Sequence, residues 1–366
     1  NVSLESDGWP TRFVFLKKFK DTNPRLLLTL LTYSRALEPS KKESKDRVVK
    51  LNTITDPYKG KEYTIPKPFI VDFVRKFNLE SKIPVYSKKD HYLSIKGSPN
   101  GKSSYSSIWS VGVLSISQMH SLSYILGDFH NSVLQHYMKI KLEFSNLIDK
   151  TKEYTGKLSI VHDPELKERV IAMCDYTTQF TLRPLHNILL NKLRNIECDR
   201  TFTQDPFHKW NDNGQSYHSL DLSAATDRFP IKLQMKLISL MFNDYHFGNH
   251  WASLLVNRDY IYQGKPYRYS VGQPMGAYTS WAAFTLTHHL VVHWAAHLCG
   301  INDFNDYIIL GDDIVIKNNK VASKYITLMT RFGVDISMQK THVSKDTYEF
   351  AKRWIHQGKE VSGLSL

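Results

Sequence analysis

Apolar and polar positions along the chain fall into two regimes. Up to about residue 150, basic clusters such as "SKKESKDRVVK" alternate with turns marked by Pro and Gly, notably "IPKPF" and "KGSPNGKSSYSS", which predicts a helical, loop-rich region. "SSIWSVGVLSISQMHSLSYILGDF" carries apolar residues at mixed spacing and reads as helix. From about Gly156 the pattern changes: short β-rich runs, "RVIAM" and "SLDLS", alternate with a helix from Pro230 to Phe242 and a long helix from Tyr278 to Leu298. "DYIILGDDIVIKN", Asp306 to Asn318, then sets Gly311, Asp312 and Asp313 between two aliphatic runs, the pattern of a β-hairpin with acids at or just past its tip. Strands separated by helices predict an α/β or α+β domain. No internal repeat or low-complexity tract interrupts the pattern.

Composition narrows the partners. A chain of 366 residues, 42% hydrophobic, can bury a large core, expected here in two or three lobes. The net charge of +13 favours a polyanion as partner, because phosphates release counterions to Lys and Arg; an anionic membrane surface is the competing reading. Aromatic residues, 12% with 20 Tyr, suit stacking on bases as well as ordinary cores. Cys174, Cys198 and Cys299 lie far apart, which argues against a disulfide framework or a cysteine zinc site and for a reducing compartment. "WAAFTLTHHLVVHWAAHLCG" has the length to span a bilayer, but its histidines argue against a membrane helix. The chain starts at Asn1 without a methionine, so a fragment is expected, with any targeting peptide upstream.

A second acidic site lies in "YHSLDLSAATDRFP". Asp221 ends a short apolar strand, and Asp227 follows where the chain bends toward a helix opened by Pro230. Asp227 alone could serve the helix dipole, whereas a carboxylate at the carboxyl end of a strand is where such sheets place chemistry. If that strand neighbours the hairpin, Asp221, Asp312 and Asp313 converge, and their repulsion calls for a cation. Oxygen-only ligands describe Mg²⁺, with Mn²⁺ as the alternative; two ions about 4 Å apart stabilise both the attacking and the leaving oxygen of a phosphoryl transfer. Between the acidic sites, Gly272, Pro274 and Gly276 form a loop able to approach a sugar or phosphate, and Ser280 offers a hydroxyl as the next helix begins. On that helix His289, His293 and His297 recur every fourth residue, with His288 beside them. Without an H-E-x-x-H glutamate or a nearby Cys ligand, packing or hydrogen bonding is favoured over zinc.

Taken in order, these segments resemble the palm motifs of viral RNA-dependent RNA polymerases, in wording close to the mitovirus family, with narnaviruses next. "HDPELKERVIAMCDYTTQFTLRPLHN" resembles the basic fingers motif F, "DLSAATDRFP" motif A, "GQPMGAYTSWAAFTLTHH" motif B, "LGDD" motif C, "SMQKTHVS" motif D and "YEFAKRW" motif E. "KGSPNG" resembles a segment that mitovirus polymerases carry ahead of motif F. The resemblance implies an α+β right hand: an N-terminal and fingers region over 1–155, fingers with motif F over 156–215, a ferredoxin-like palm over 216–348, and motif E with the start of a largely missing thumb over 349–366.

It also implies roles. Asp221, Asp312 and Asp313 would hold the two metal ions while a primer or nascent 3′-hydroxyl attacks a nucleoside triphosphate. Asp227 would read the ribose 2′-hydroxyl, Lys167 and Arg169 would hold the triphosphate, and Lys340 would protonate the departing pyrophosphate. Gly272, Gly276 and Ser280 would complete the nucleotide site. The partners implied are single-stranded RNA template, nascent RNA and nucleoside triphosphates, with no membrane insertion, and the compartment implied is the host mitochondrion. One departure concerns motif B, whose ribose-selecting asparagine is replaced here by Phe284. Two alternatives stand beside the polymerase: a reverse transcriptase, against which Leu310 replaces the aromatic residue usual two places before the paired acids, and a catalytically silent RNA-binding relic of an endogenised viral gene.

Overall fold

The computed structural model describes residues 3–33, 49–127, 129, 132, 135, 139, 142, 143, 154–162, 168–338 and 340–364. The amino-terminal region contributes the helices α1 (Pro24–Thr32), α2 (Asn52–Thr55) and α3 (Lys67–Lys76), a minimal hairpin of β1 (Gly97–Ser98) and β2 (Gly101–Lys102), then α4 (Ser107–Gly112) and α5 (Ile116–Leu126). The mixed-spacing apolar stretch thus forms two helices rather than one. Ser115 divides them, its hydroxyl accepting from Gln118 N while Gln118 Oε1 accepts from Ser115 N, a reciprocal cap that restarts the helix.

Next come β3 (Gly156–His162), β4 (Glu168–Cys174) and α6 (Tyr176–Leu193), whose first turn is capped by Asp175. Arg258 anchors this junction. Its Nη1 lies 2.7 Å from Asp175 Oδ2, both side chains are fully buried, Nη1 also donates to Thr155 O and Nη2 to Thr178 Oγ1, and Nε is buried without a hydrogen-bond partner. Removing one partner of such a pair would strand a buried charge.

The remaining elements are β5 (Tyr217–Asp221), α7 (Ala225–Arg228), α8 (Ile231–Met241), α9 (Phe247–Val256), β6 (Tyr260–Tyr262), β7 (Lys265–Tyr267), α10 (Ser280–Leu298), β8 (Tyr307–Leu310), β9 (Asp313–Ile316), α11 (Asn319–Phe332), β10 (His342–Ser344), β11 (Thr347–Phe350), β12 (Arg353–His356) and β13 (Lys359–Glu360). The hairpin around Gly311 therefore forms as the aliphatic runs predict. One sheet has the order β10-β5-β9-β8 and is antiparallel throughout. Helices separate β5 from β8 and β9 from β10, so the connectivity is β-α-β-β-α-β, the ferredoxin-like pattern. A second sheet runs β4-β3-β6-β7, and a third, β11-β12-β13, carries the "YEFAKRW" segment.

Helix α10 is buried on every side, without interruption from Ala282 to Ala296, as a helix at the centre of a core must be. It begins at Ser280 rather than Tyr278 because Thr279 takes a left-handed φ of 75°. That conformation is held by the buried Trp251, whose indole N–H donates to Thr279 Oγ1 at 2.9 Å. Two or three separately cored lobes do not result: one core runs from Ile54 to Val334 and takes in Ile65, Ile70 and Phe73 of the amino-terminal region. Ile308, Val315, Tyr348, Phe350 and Ile355 form a small second core under the third sheet. Among the described residues no helix is long and apolar enough to cross a membrane.

Candidate active site

The aliphatic residues of β8 and β9 are buried on both faces, so their turn has little freedom to move. Gly311 makes the turn at φ +61°, and a side chain there would overlap the ring of Trp281, so glycine is required twice over. Helix α10 holds the turn from beneath. His288 Nδ1 lies 2.8 Å from Gly311 O and Nε2 lies 2.6 Å from the Tyr325 hydroxyl of α11. A carbonyl only accepts, so Nδ1 carries the proton and Nε2 accepts from Tyr325. Burial lowers the His288 pKa to about 3, which keeps the ring neutral. Asp312 follows in the turn and Asp313 opens β9.

Strand β5 lies beside β9 with Asp221 opposite Asp313. Beyond Asp221 the chain is tied to the loop after α11: Ser337 N donates to Asp221 O at 2.9 Å, Ser223 N donates to Asp335 O at 2.8 Å, and Leu222 bridges Ile336. This loop carries Lys340 across, its Nζ 2.7 Å from Asp221 Oδ2. Ala224, left-handed at φ 48°, turns the chain into α7 and so brings Asp227 round to the same side. There Asp227 Oδ2 accepts from Thr53 Oγ1 at 2.8 Å, while Oδ1 is buried without a hydrogen-bond partner.

These side chains line one cleft of about 1460 Å³, wider than the usual small-molecule pocket of roughly 300–1,000 Å³. Asp221, Asp227, Asp312, Asp313 and Glu349 share it with Arg169, Lys340 and Lys352. Burial is the largest cause raising the pKa of Asp312, with Asp221 adding to it and Arg169 and Lys340 opposing. Burial also leads for Asp313, reinforced by Asp312, Glu349 and Asp221, and its pKa reaches about 7. Asp227 is raised by burial against the opposing pull of Thr53 and Arg228.

The expected gathering of Asp221, Asp312 and Asp313 is therefore one of strands and of electrostatic neighbours, with a correction. Among the described residues no three His, Cys, Asp or Glu side chains are drawn into a ready metal cage. The donor set nonetheless fits a hard cation, since its crowded carboxylates bear a charge the protein only partly neutralises.

Other sequence-predicted residues sit elsewhere. Lys167 lies outside the described residues. Gly272 and Gly276 do make close approaches, but to protein: a side chain at Gly272 would overlap the backbone of Thr226 and Asp227, and one at Gly276, where φ is +115°, would press on Ile171 and Ala172. Ser280 is buried, its hydroxyl committed to Pro274 O at 2.6 Å. The loop thus seats β4 and α7 relative to each other, and neither glycine nor Ser280 lines the cleft. His289 Nδ1 and His293 Nε2 lie 2.9 and 3.1 Å from the Tyr307 hydroxyl, and His289 Nε2 lies 3.1 Å from Asp199 Oδ2. His297 stacks on Trp294. Packing and hydrogen bonding thus account for the histidines. Sequence reasoning missed Thr53 and Glu349: the first lies far upstream without a motif, whereas the second lies inside "YEFAKRW", the segment that resembles motif E, where its acid was a signal left unused.

The fold is that of viral RNA-dependent RNA polymerases. The polymerase of a human picorbirnavirus, known from a crystal structure, superimposes with a TM-score of 0.59 at 14% identity, over 94% of this chain and 68% of that one. The model of the mitovirus RNA-dependent RNA polymerase family matches residues 84–366, and the chain belongs to that family. It is 36% identical over 347 residues to the RNA-directed RNA polymerase of Cryphonectria parasitica mitovirus 1 (strain American chestnut tree/New Jersey/NB631), a match covering 89% of this chain and 42% of that protein. It is also 37% identical over 195 residues to an uncharacterized mitochondrial protein of Arabidopsis thaliana, across 48% of this chain and 75% of that one. The chain thus spans about two fifths of the length of its viral relative.

Proposed function

We propose that this chain carries the nucleotidyl-transfer centre of an RNA-dependent RNA polymerase, copying single-stranded RNA from nucleoside triphosphates. The observation that carries the reading is the register of Asp221 opposite Asp313, with Asp312 in the adjoining turn, on one wall of a cleft that also presents Arg169 and Lys340. The sheet β10-β5-β9-β8, contained within 217–344, would serve as palm over 216–348, with 1–155 as the N-terminal and fingers region, 156–215 as fingers with motif F, and 349–366 as motif E and the start of a thumb. A silent relic is disfavoured because Asp221, Asp312 and Asp313 are all present and line one cleft, and membership of a polymerase family disfavours a reverse transcriptase.

Asp312 and Asp221 would hold Mg²⁺, or Mn²⁺ in its place, with Asp313 completing the shell. When bound, such ions stabilise the attacking 3′-oxygen and the leaving pyrophosphate oxygens. Lys340 Nζ, paired with Asp221 Oδ2 beside these acids, would turn to the triphosphate and give its proton to the departing pyrophosphate. Arg169, on the cleft wall, would grip the triphosphate together with Lys167. Asp227 Oδ1, buried with lone pairs unused, would accept from the ribose 2′-hydroxyl. Gly272, Gly276 and Ser280 act at one remove by seating α7. The mitochondrial naming of the relatives supports a mitochondrial site of action.

Extension of a primed RNA template with ribonucleotides tests the proposal. Wild-type chain should extend the primer, while Asp312→Asn should abolish incorporation and leave RNA affinity within a few-fold. Loss of both together, or of neither, would count against the role of Asp312.

A further inference from the structure

Asp227 raises a question that the motif resemblance leaves open, because the asparagine expected to help it select ribose is Phe284. That ring is 3% exposed and packs edge-on against Phe229 with centroids 5.0 Å apart, so α10 offers no polar group there. The side chain that reaches Asp227 instead is Thr53, from the short helix α2. Helix α2 is itself fastened in place. Arg228 Nη1 donates to Thr53 O at 3.3 Å, Ser270 N donates to Ile54 O at 3.0 Å, and Ser270 Oγ donates to Asp56 O at 2.6 Å. Thr53 and Asp227 both line the cleft.

Resting on the polymerase reading, we infer that Thr53 is a positioning residue for sugar discrimination: by fixing Oδ2 of Asp227 it presents Oδ1 to the 2′-hydroxyl of the incoming ribonucleotide. A ribonucleotide satisfies the orphaned Oδ1. A 2′-deoxynucleotide leaves that oxygen buried and unpaired, and a site built to bond a hydroxyl rejects the analogue lacking it for this reason. Valine at 53 keeps the shape of threonine and removes the donor, so the carboxylate is free to swing and the penalty for the deoxy sugar shrinks. Serine keeps the donor.

The test is single-nucleotide extension of a primed RNA template with ATP and with 2′-dATP, compared as a ratio of kcat/KM. For Thr53→Val the ratio should fall about tenfold, the share one hydrogen bond to a charged group contributes, chiefly through a higher KM for ATP. Thr53→Ser should keep the wild-type ratio, and Thr53→Ala should repeat the valine result if valine disturbs folding. In an Asp227→Asn background Thr53→Val should change the ratio no further, since the two residues act as a unit. An unmoved ratio in both Thr53→Val and Thr53→Ala, an equal fall in Thr53→Ser, or additive losses in the double variant would overturn the inference. Wild-type incorporation without ribose preference overturns this inference alone; no wild-type incorporation overturns the polymerase reading and this inference with it.

Discussion

At the scale of single residues, Asp313 carries the clearest consequence. Its folded pKa of about 7 stands above the unfolded carboxylate value of about 3.9, so the folded chain holds a proton that the unfolded chain releases in between. The stability this confers is complete below about pH 4 and is lost as pH rises through about 7. Asp312 and Asp227 are shifted in the same direction. Without divalent cations, the melting temperature should fall across that window, and Asp313→Asn should reduce the slope; a steeper or unchanged slope would place the proton elsewhere. Added Mg²⁺ should raise the melting temperature more at pH 7.5 than at pH 5, because it competes with the proton. The acids themselves were legible in the sequence, since adjacent carboxylates beside a glycine stand out from an aliphatic hairpin. Thr53 was not, because its bond to Asp227 spans 174 positions along the chain and a lone threonine bears no pattern.

At the scale of elements, the strands and the central helix were legible because their apolar periods differ, whereas the partners of each strand were not. Asp221 opposite Asp313 is a matter of register, which depends on the whole sheet. The start of α10 was misplaced by two residues because nothing in "AYTSW" announces a left-handed threonine. The histidines of that helix were legible as a face and ambiguous in purpose, and tertiary contacts decide it: His288 links α10 to the Gly311 turn and to Tyr325 of α11. His288→Ala strands the Tyr325 hydroxyl and Gly311 carbonyl and should cost about 1–3 kcal/mol of stability. It should also lower kcat for incorporation more than it raises the KM for ATP, since the turn bearing Asp312 is what loosens. His288→Asn, whose amide can replace the Nδ1 donor, should recover part of kcat; no loss in His288→Ala, or no recovery in His288→Asn, would remove His288 from this role.

At the scale of the whole molecule, the net charge of +13 and the open cleft belong together. RNA affinity should fall steeply and linearly on a log–log plot against salt, and a flat response would mean that phosphates are not what the basic charge meets. The expected lobes were not legible as separate cores, because Ile54, Ile65 and Ile70 of the amino-terminal region enter the same core as α10 and α11, as strands and helices distant in sequence fill one interior. That continuity is also what lets Thr53 reach Asp227. The central claim is that the acids of β5 and the Gly311 turn share a divalent cation, and Mn²⁺ binding followed by electron paramagnetic resonance, with ATP and primed RNA present, tests it most directly. Wild-type chain should bind Mn²⁺ and Asp312→Asn should lose most of that binding; undiminished Mn²⁺ binding by Asp312→Asn would contradict the claim.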